Sequence, residues 1–394
     1  MSQFSHCSIL LDLRITQIAQ RERGIPRYAA ALALALPEQL PGADISYLID
    51  PDAPLPDAIE ALSQAGRIIE GPAQISSLPH LSHYLQTCFF ELHKNADELF
   101  PKELAQFKPR LSTIVYDVIP WLYPEHYLTD PYIAQRYEYQ LGLLNCLDHL
   151  FAISESARDD VIRVAQLEPR RVQNIYGSID EARWARAEAD FGTSGRVNEE
   201  GRRFGIKRPY WLYVGGADFR KNNSSLVRAF AQLKAKLAAQ GAEPVSLVVA
   251  CSLSESQRDE LLVLGKLHGL EAGLDLIITG FISDSLLAHL YRHAFATVFP
   301  SHYEGLGLPV LESYYFDVPA LASNNSSLRE ITHPACQFDS TSDTDIAEAM
   351  LRLHNQPELR AESLQFGQSM LEQCSWSQAA AKIAHYVAEF TKSK

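Results

Sequence analysis

Phe299-Pro300-Ser301-His302-Tyr303-Glu304-Gly305-Leu306-Gly307-Leu308-Pro309-Val310-Leu311-Glu312 places an apolar strand end, a carboxylate, two glycines, a proline and a second carboxylate in that order. Thr297 to Phe299 read as the end of a buried strand, and Pro309 suits the first turn of a helix that carries Glu312. Gly305 and Gly307 leave the backbone bare between them. Amides at a helix start hold a phosphate or a polar sugar face, and carboxylates accept hydrogen bonds from hydroxyl pairs. Gly305, Leu306, Gly307 and Leu308 are therefore candidate phosphate contacts, and Glu304 and Glu312 candidate hydroxyl ligands. Hydroxyl pairs beside phosphate are the chemistry of a nucleotide sugar.

Upstream lies Tyr213-Val214-Gly215-Gly216-Ala217-Asp218-Phe219-Arg220-Lys221-Asn222, and downstream Asp317-Val318-Pro319-Ala320-Leu321-Ala322-Ser323 followed by Glu330. Open α/β sheets bind ligands beyond the carboxyl ends of their strands. Gly215 and Gly216 follow an apolar strand directly and precede a helix, so they fall at such an end. Arg220 and Lys221 then suit a diphosphate, because a guanidinium grips two oxygens at once and an ammonium adds compact charge. The bland alternatives are a solvated basic pair for Arg220 and Lys221, and for Glu312 a carboxylate serving the helix dipole, worth about 0.3 to 1 kcal/mol.

These three segments, in this order and at these spacings, resemble the family-4 retaining glycosyltransferases (glycosyl transferases group 1), over most of residues 210–332. The resemblance implies the GT-B fold: two Rossmann-like parallel-sheet domains facing a cleft, with a C-terminal helix crossing back. It implies that Glu304 faces the donor hexose, that Glu312 holds the ribose hydroxyls, and that Arg220 and Lys221 stabilise the departing diphosphate. Phe281 and Ile282, in Gly280-Phe281-Ile282-Ser283-Asp284, would meet the nucleotide base, with core packing an equal reading for Phe281. In Arg21-Glu22-Arg23-Gly24-Ile25-Pro26-Arg27-Tyr28, Gly24 resembles the family's glycine loop near the donor phosphates, and Arg23 and Arg27 would add positive field, with a solvated arginine the alternative for at least one of them. Thr113-Ile114-Val115-Tyr116-Asp117-Val118-Ile119-Pro120 resembles a strand end that usually carries His-Asp. Tyr116 stands where the histidine is expected, which points to a different donor such as a 6-deoxy sugar. Asp117 reads as a sugar or acceptor ligand or as a loop cap, and His126 as part of the acceptor-side rim.

Composition is that of an ordinary soluble globular protein. A chain of 394 residues, 46% hydrophobic and 21% charged, exceeds what one core accommodates and suggests two domains. The expected division is residues 1–190 for an acceptor-side domain, 191–208 for a linker, 209–375 for a nucleotide-sugar-binding domain, and 376–394 for the returning helix. Ala182 to Arg208 is polar and aperiodic and reads as linker or loop. Strands are expected at Ser8–Leu13, Ile45–Ile49, Leu85–Phe90, Thr113–Val118, His149–Ile153 and Gln173–Tyr176. In the second half they are expected at Tyr210–Val214, Val245–Cys251, Leu274–Ile278, Thr297–Phe299 and Ala320–Ser323.

Net charge is −13, and residues 1–180 carry 14 basic and 23 acidic side chains, which argues against a nucleic-acid partner. The longest apolar run is far shorter than a bilayer span of about 20 residues, and no leader or lipidation signal is visible. The expectation is a cytoplasmic protein; the acidic first half argues against strong attraction to anionic lipid, and peripheral contact at the inner membrane stays open. Six cysteines stand singly, as free thiols in a reducing compartment would. Asp50-Pro51-Asp52 and Asp343-Thr344-Asp345 have the look of metal-binding strings but fall at turns, and Asp343 or Thr344 reads as a helix cap. No cofactor or metal is expected beyond the donor itself. The expected reaction is metal-independent, retaining transfer of a hexose or deoxyhexose from a nucleotide diphosphate sugar, such as GDP-mannose, to a saccharide or lipid-linked saccharide acceptor. Its place would be in bacterial polysaccharide, O-antigen or lipopolysaccharide biosynthesis. A nucleotide-sugar epimerase, a sugar phosphorylase and a non-catalytic nucleotide-sugar-binding protein stay open as rivals.

Overall fold

Apolar runs such as Ser8-Ile9-Leu10-Leu11-Asp12 and Tyr210-Trp211-Leu212-Tyr213 are buried along nearly their whole length, the pattern of strands covered on both faces. The computed structural model describes residues 4, 6–19, 24–90, 96–193, 204–206 and 209–391. These form two units, Met1–Ser178 with Cys374–Lys394, and Ile179–Gln373. Each is a parallel sheet flanked by helices.

The first unit contains β1 (Ser8–Asp12), β2 (Asp44–Ile49), β3 (Arg67–Glu70), β4 (His83–Gln86), β5 (Arg110–Val115), β6 (His149–Ala152) and β7 (Val172–Asn174). Their order is β3-β2-β1-β4-β5-β6-β7, with every pairing parallel. The helix Trp376–Thr391 packs on the helix Gly24–Gln39 of the same unit. Tyr386 stacks on His149 with ring centroids 4.2 Å apart, and Lys382 donates to the Asn174 carbonyl at 3.0 Å, which caps the edge strand β7.

The second unit contains β8 (Tyr210–Gly215), β9 (Ser246–Cys251), β10 (Leu276–Ile278), β11 (Ala296–Phe299), β12 (Ala320–Ser323) and β13 (Gln337–Phe338). Their order is β10-β9-β8-β11-β12-β13, again all parallel. Sequence order reverses between β8 and β11. A crevice opens at such a switch point because the loops on either side run in opposite directions.

Two features differ from the sequence reading. The helix Glu181–Thr193 occupies the start of the stretch read as linker and belongs to the second unit. Trp184, fully buried, anchors it edge-on to Phe316 at 5.2 Å and to Tyr291 at 5.9 Å. One tryptophan and a few alanines make too thin an apolar stripe to reveal a helix by periodicity. Residues 194–203 of that stretch lie outside the described residues. The strands β3 and β13 were not expected either: Arg67-Ile68-Ile69-Glu70 has charged ends and Gln337-Phe338 is only two residues long.

Candidate donor site at the β8–β11 switch point

Arg220 and Lys221 follow β8, and Glu304 follows β11, so the chain delivers both cations and the carboxylate to the reversal of strand order. Asp218 caps the short turn after β8, accepting from the Arg220 amide at 3.1 Å. Asn222 then takes a left-handed conformation, φ 56°, which asparagine tolerates better than most residues. Its side-chain amide donates to the carbonyls of Pro300 at 3.1 Å and Ser340 at 2.7 Å, which fastens the β8 turn to the segments after β11 and β13.

Around Glu304 the geometry is close. Lys221 Nζ donates to Oε1 at 2.6 Å, Arg220 Nη1 to Oε2 at 3.1 Å, and Ser301 Oγ to Oε1 at 2.8 Å. Arg220 also reaches the Tyr303 carbonyl at 3.2 Å. The Glu304 amide donates to Ser326 Oγ and its carbonyl accepts from Ser327 Oγ, so the residue is held by backbone and side chain alike. Burial would raise the Glu304 pKa, but Lys221 and then Arg220 outweigh it and hold the carboxyl below its usual range. Glu304 is ionised at neutral pH. Two cations thus share one largely buried carboxylate beside a helix start.

That helix is Leu308–Tyr315. Gly307 precedes it with φ 87°, and a β-carbon there would stand 2.7 Å from Leu328 Cδ2, so neither the backbone angle nor the space admits a side chain. Tyr213, Lys221, Ser301, Glu304, Gly307 and Pro309 line a small pocket at this point. Gly215 ends β8, where a β-carbon would overlap the Tyr213 hydroxyl, while Gly216 faces open space. Gly305 and Leu306 are buried and Leu308 half-buried.

Glu312 makes other contacts. Its Oε2 accepts from the Tyr291 hydroxyl at 2.8 Å, and Arg183 Nη1 stands 3.9 Å from Oε1. Arg183, within the stretch read as linker, and Tyr291 were not singled out in the sequence. Neither carried a local signal, since Arg183 precedes Glu312 by more than a hundred residues. In the loop after β10, Gly280 has φ 73°, Phe281 is 84% exposed and Ile282 is half-buried. So exposed a ring is not packed in the core.

The remaining sequence candidates lie in the first unit. Gly24 opens the helix Gly24–Gln39, and Arg27 is half-buried in its first turn; Arg23 lies outside the described residues. Tyr116, just after β5, is buried: its hydroxyl donates to the Thr87 carbonyl at 3.0 Å and its ring meets Tyr28 edge-on at 5.2 Å. Asp117 accepts from the Ile119 amide at 3.0 Å, the loop-cap role left open by its sequence. His126 is exposed, 3.8 Å from Glu125. Of the two aspartate strings, Asp50 accepts from the Asp52 amide and Asp343 pairs with Arg228. The cap of the helix Asp343–Asn355 is Ser342, neither Asp343 nor Thr344, because the Ser342 hydroxyl reaches the Asp345 amide.

Residues 198–370, nearly all of them in the second unit, match the model of the family glycosyl transferases group 1. The chain is 28% identical over 354 residues to the serotype-specific mannosyltransferase WbdA of Escherichia coli, covering 82% of this chain and 41% of that protein. It is 31% identical over 140 residues to the O-antigen chain mannosyltransferase B of Escherichia coli, covering 36% of this chain and 35% of the other. The chain therefore spans about two fifths or less of the length of these relatives. Among solved structures, Anabaena HepE in complex with UDP and glucose superposes with a TM-score of 0.67 at 14% identity, over 98% of this chain and 100% of the other. Sucrose-phosphate synthase from Thermosynechococcus elongatus gives 0.69 at 18%, over 98% and 100%. At these identities the likeness is one of fold, and the fold is GT-B. No helix of the described residues is long and apolar enough to cross a membrane.

Proposed function

We propose that this chain is a retaining, metal-independent glycosyltransferase that moves a hexose or deoxyhexose, with mannose the first choice, from a nucleotide diphosphate sugar to an acceptor hydroxyl. The observation that carries the reading is the shared carboxylate: Arg220 and Lys221 both hold Glu304 at the switch point of the second sheet. A cation pair beside helix N-terminal amides suits a pyrophosphate and stabilises the charge that grows as it leaves. Glu304, kept ionised there, favours positive charge developing at the anomeric carbon. The bond from that carbon to the diphosphate breaks, the acceptor oxygen bonds to it on the same face, and the acceptor's proton passes to the departing phosphate oxygen. No protein nucleophile and no metal enters the balance.

The mannosyltransferase relatives support mannose as the sugar and a role in O-antigen or related surface polysaccharide synthesis. GDP as the nucleotide carrier and a saccharide or lipid-linked saccharide as acceptor complete the proposal. Work at the cytoplasmic face of the inner membrane belongs to the same reading. The test is incubation with a panel of GDP- and UDP-hexoses and mannose-terminated acceptors, with the new linkage assigned by NMR. An α-linked product from an α-linked donor supports the proposal. Turnover driven by inorganic phosphate alone, or an inverted product, overturns it.

A further inference from the structure

Resting on the reading of Glu312 as the ribose ligand, we infer that Arg183 is a positioning residue that fixes Glu312 and ties it to the loop proposed to meet the base. Arg183 Nε donates to Asp284 Oδ2 at 2.6 Å, and a second guanidinium nitrogen bonds the other oxygen, a bidentate pairing. Asp284 begins the helix Asp284–His293, directly after Gly280-Phe281-Ile282-Ser283. Across the guanidinium, Nη1 stands 3.9 Å from Glu312 Oε1, beyond hydrogen-bond reach but well within charge range. The Tyr291 hydroxyl holds the other oxygen, Oε2, at 2.8 Å. Arg183 thus orients the carboxylate without clamping Oε1 in a short bond, while Tyr291 sets its rotation.

The guanidinium is itself fixed. It lies over the Trp184 ring at 4.3 Å, and buried Trp184 meets both Tyr291 and Phe316 edge-on, while those two rings stack on each other at 5.3 Å. The helix Glu181–Thr193 is therefore held to the second unit by an aromatic cluster, with Arg183 projecting from its first turn onto two acidic groups. One side chain joins the base loop to the ribose carboxylate, and Tyr291 completes the hold on the latter. Loss of Arg183 should weaken discrimination at the ribose and leave the phosphate contacts of Arg220 and Lys221 untouched.

Calorimetric titration of GDP, UDP and their 2′-deoxy counterparts into the whole protein tests this. Wild type is expected to prefer the ribonucleotide, and Glu312→Gln to lose that preference. Arg183→Met should lose about tenfold of it, Arg183→Lys should recover part, and Asp284→Asn, which releases one anchor of Arg183, should show a smaller loss. In transfer assays Arg183→Met should raise the donor KM more than it lowers kcat. If Glu312→Gln loses the preference while folded Arg183→Met and Asp284→Asn both keep it, the inference falls and the site stands. If wild type binds neither diphosphate, or Glu312→Gln retains full preference, the reading of the site falls and the inference with it.

Discussion

Lys221 Nζ lies 2.6 Å from Glu304 Oε1, so the turn after β8 and the turn after β11 meet in an ion pair at the point where strand order reverses. With side-chain exposures of 17% and 13%, the pair is largely withdrawn from water. Such a pair is a weak source of net stability but is costly to break on one side, because the remaining charge stays desolvated.

Lys221→Ala and Glu304→Gln should each lower transfer by about 100-fold or more, the scale of removing one preorganised electrostatic group from an active site. Far-ultraviolet circular dichroism should be unchanged and stability should fall by about 1 to 3 kcal/mol in Lys221→Ala. Near-wild-type rates in both variants would remove these residues from the site.

Glu304 also sets an acid limb. Its folded-state pKa lies below the ordinary value of 4.5, so it contributes stability above that value and loses the contribution as pH falls through the lowered folded pKa. Urea unfolding of wild type and Glu304→Gln between pH 3 and 6 should show a steeper acid loss in wild type. Parallel pH profiles would mean the carboxylate gains nothing from its cations.

His149 makes the opposite kind of titration. Burial, helped by the charge of Arg171, lowers its pKa to about 4, so the unfolded chain binds the proton first. Stability is then expected to decline as pH falls from about 6.5 towards 4, by no more than about 3 kcal/mol. His149→Phe keeps a ring against Tyr386 and should flatten that part of the stability profile. An unchanged slope would show that other groups carry it.

Gly307→Ala should destabilise by about 1 to 3 kcal/mol, since it combines φ 87° with a 2.7 Å approach to Leu328. The thermal midpoint reads this directly, and a stability equal to wild type would mean that the loop relaxes freely.

Much of this was legible in the sequence. The strands β8, β9, β11 and β12 announce themselves because both faces are buried and their runs are continuously apolar. Arg220, Lys221 and Glu304 could be picked out because glycines and strand ends flank them. Arg183 could not. Its value lies in a bidentate pairing with Asp284, about a hundred residues away, on a helix whose apolar anchor is essentially Trp184. Tyr116 shows a related limit: the sequence reveals the substitution at that strand end, but only the fold shows its hydroxyl bonded to Thr87.

Whether Arg220 and Lys221 receive a pyrophosphate is read most directly from the affinity of wild type and Lys221→Ala for GDP, UDP and the corresponding unphosphorylated nucleosides. One diphosphate is expected to bind wild type and to lose about tenfold or more in Lys221→Ala, while the nucleoside binds both proteins equally. Equal affinity of that diphosphate for the two proteins would contradict this role of the cation pair.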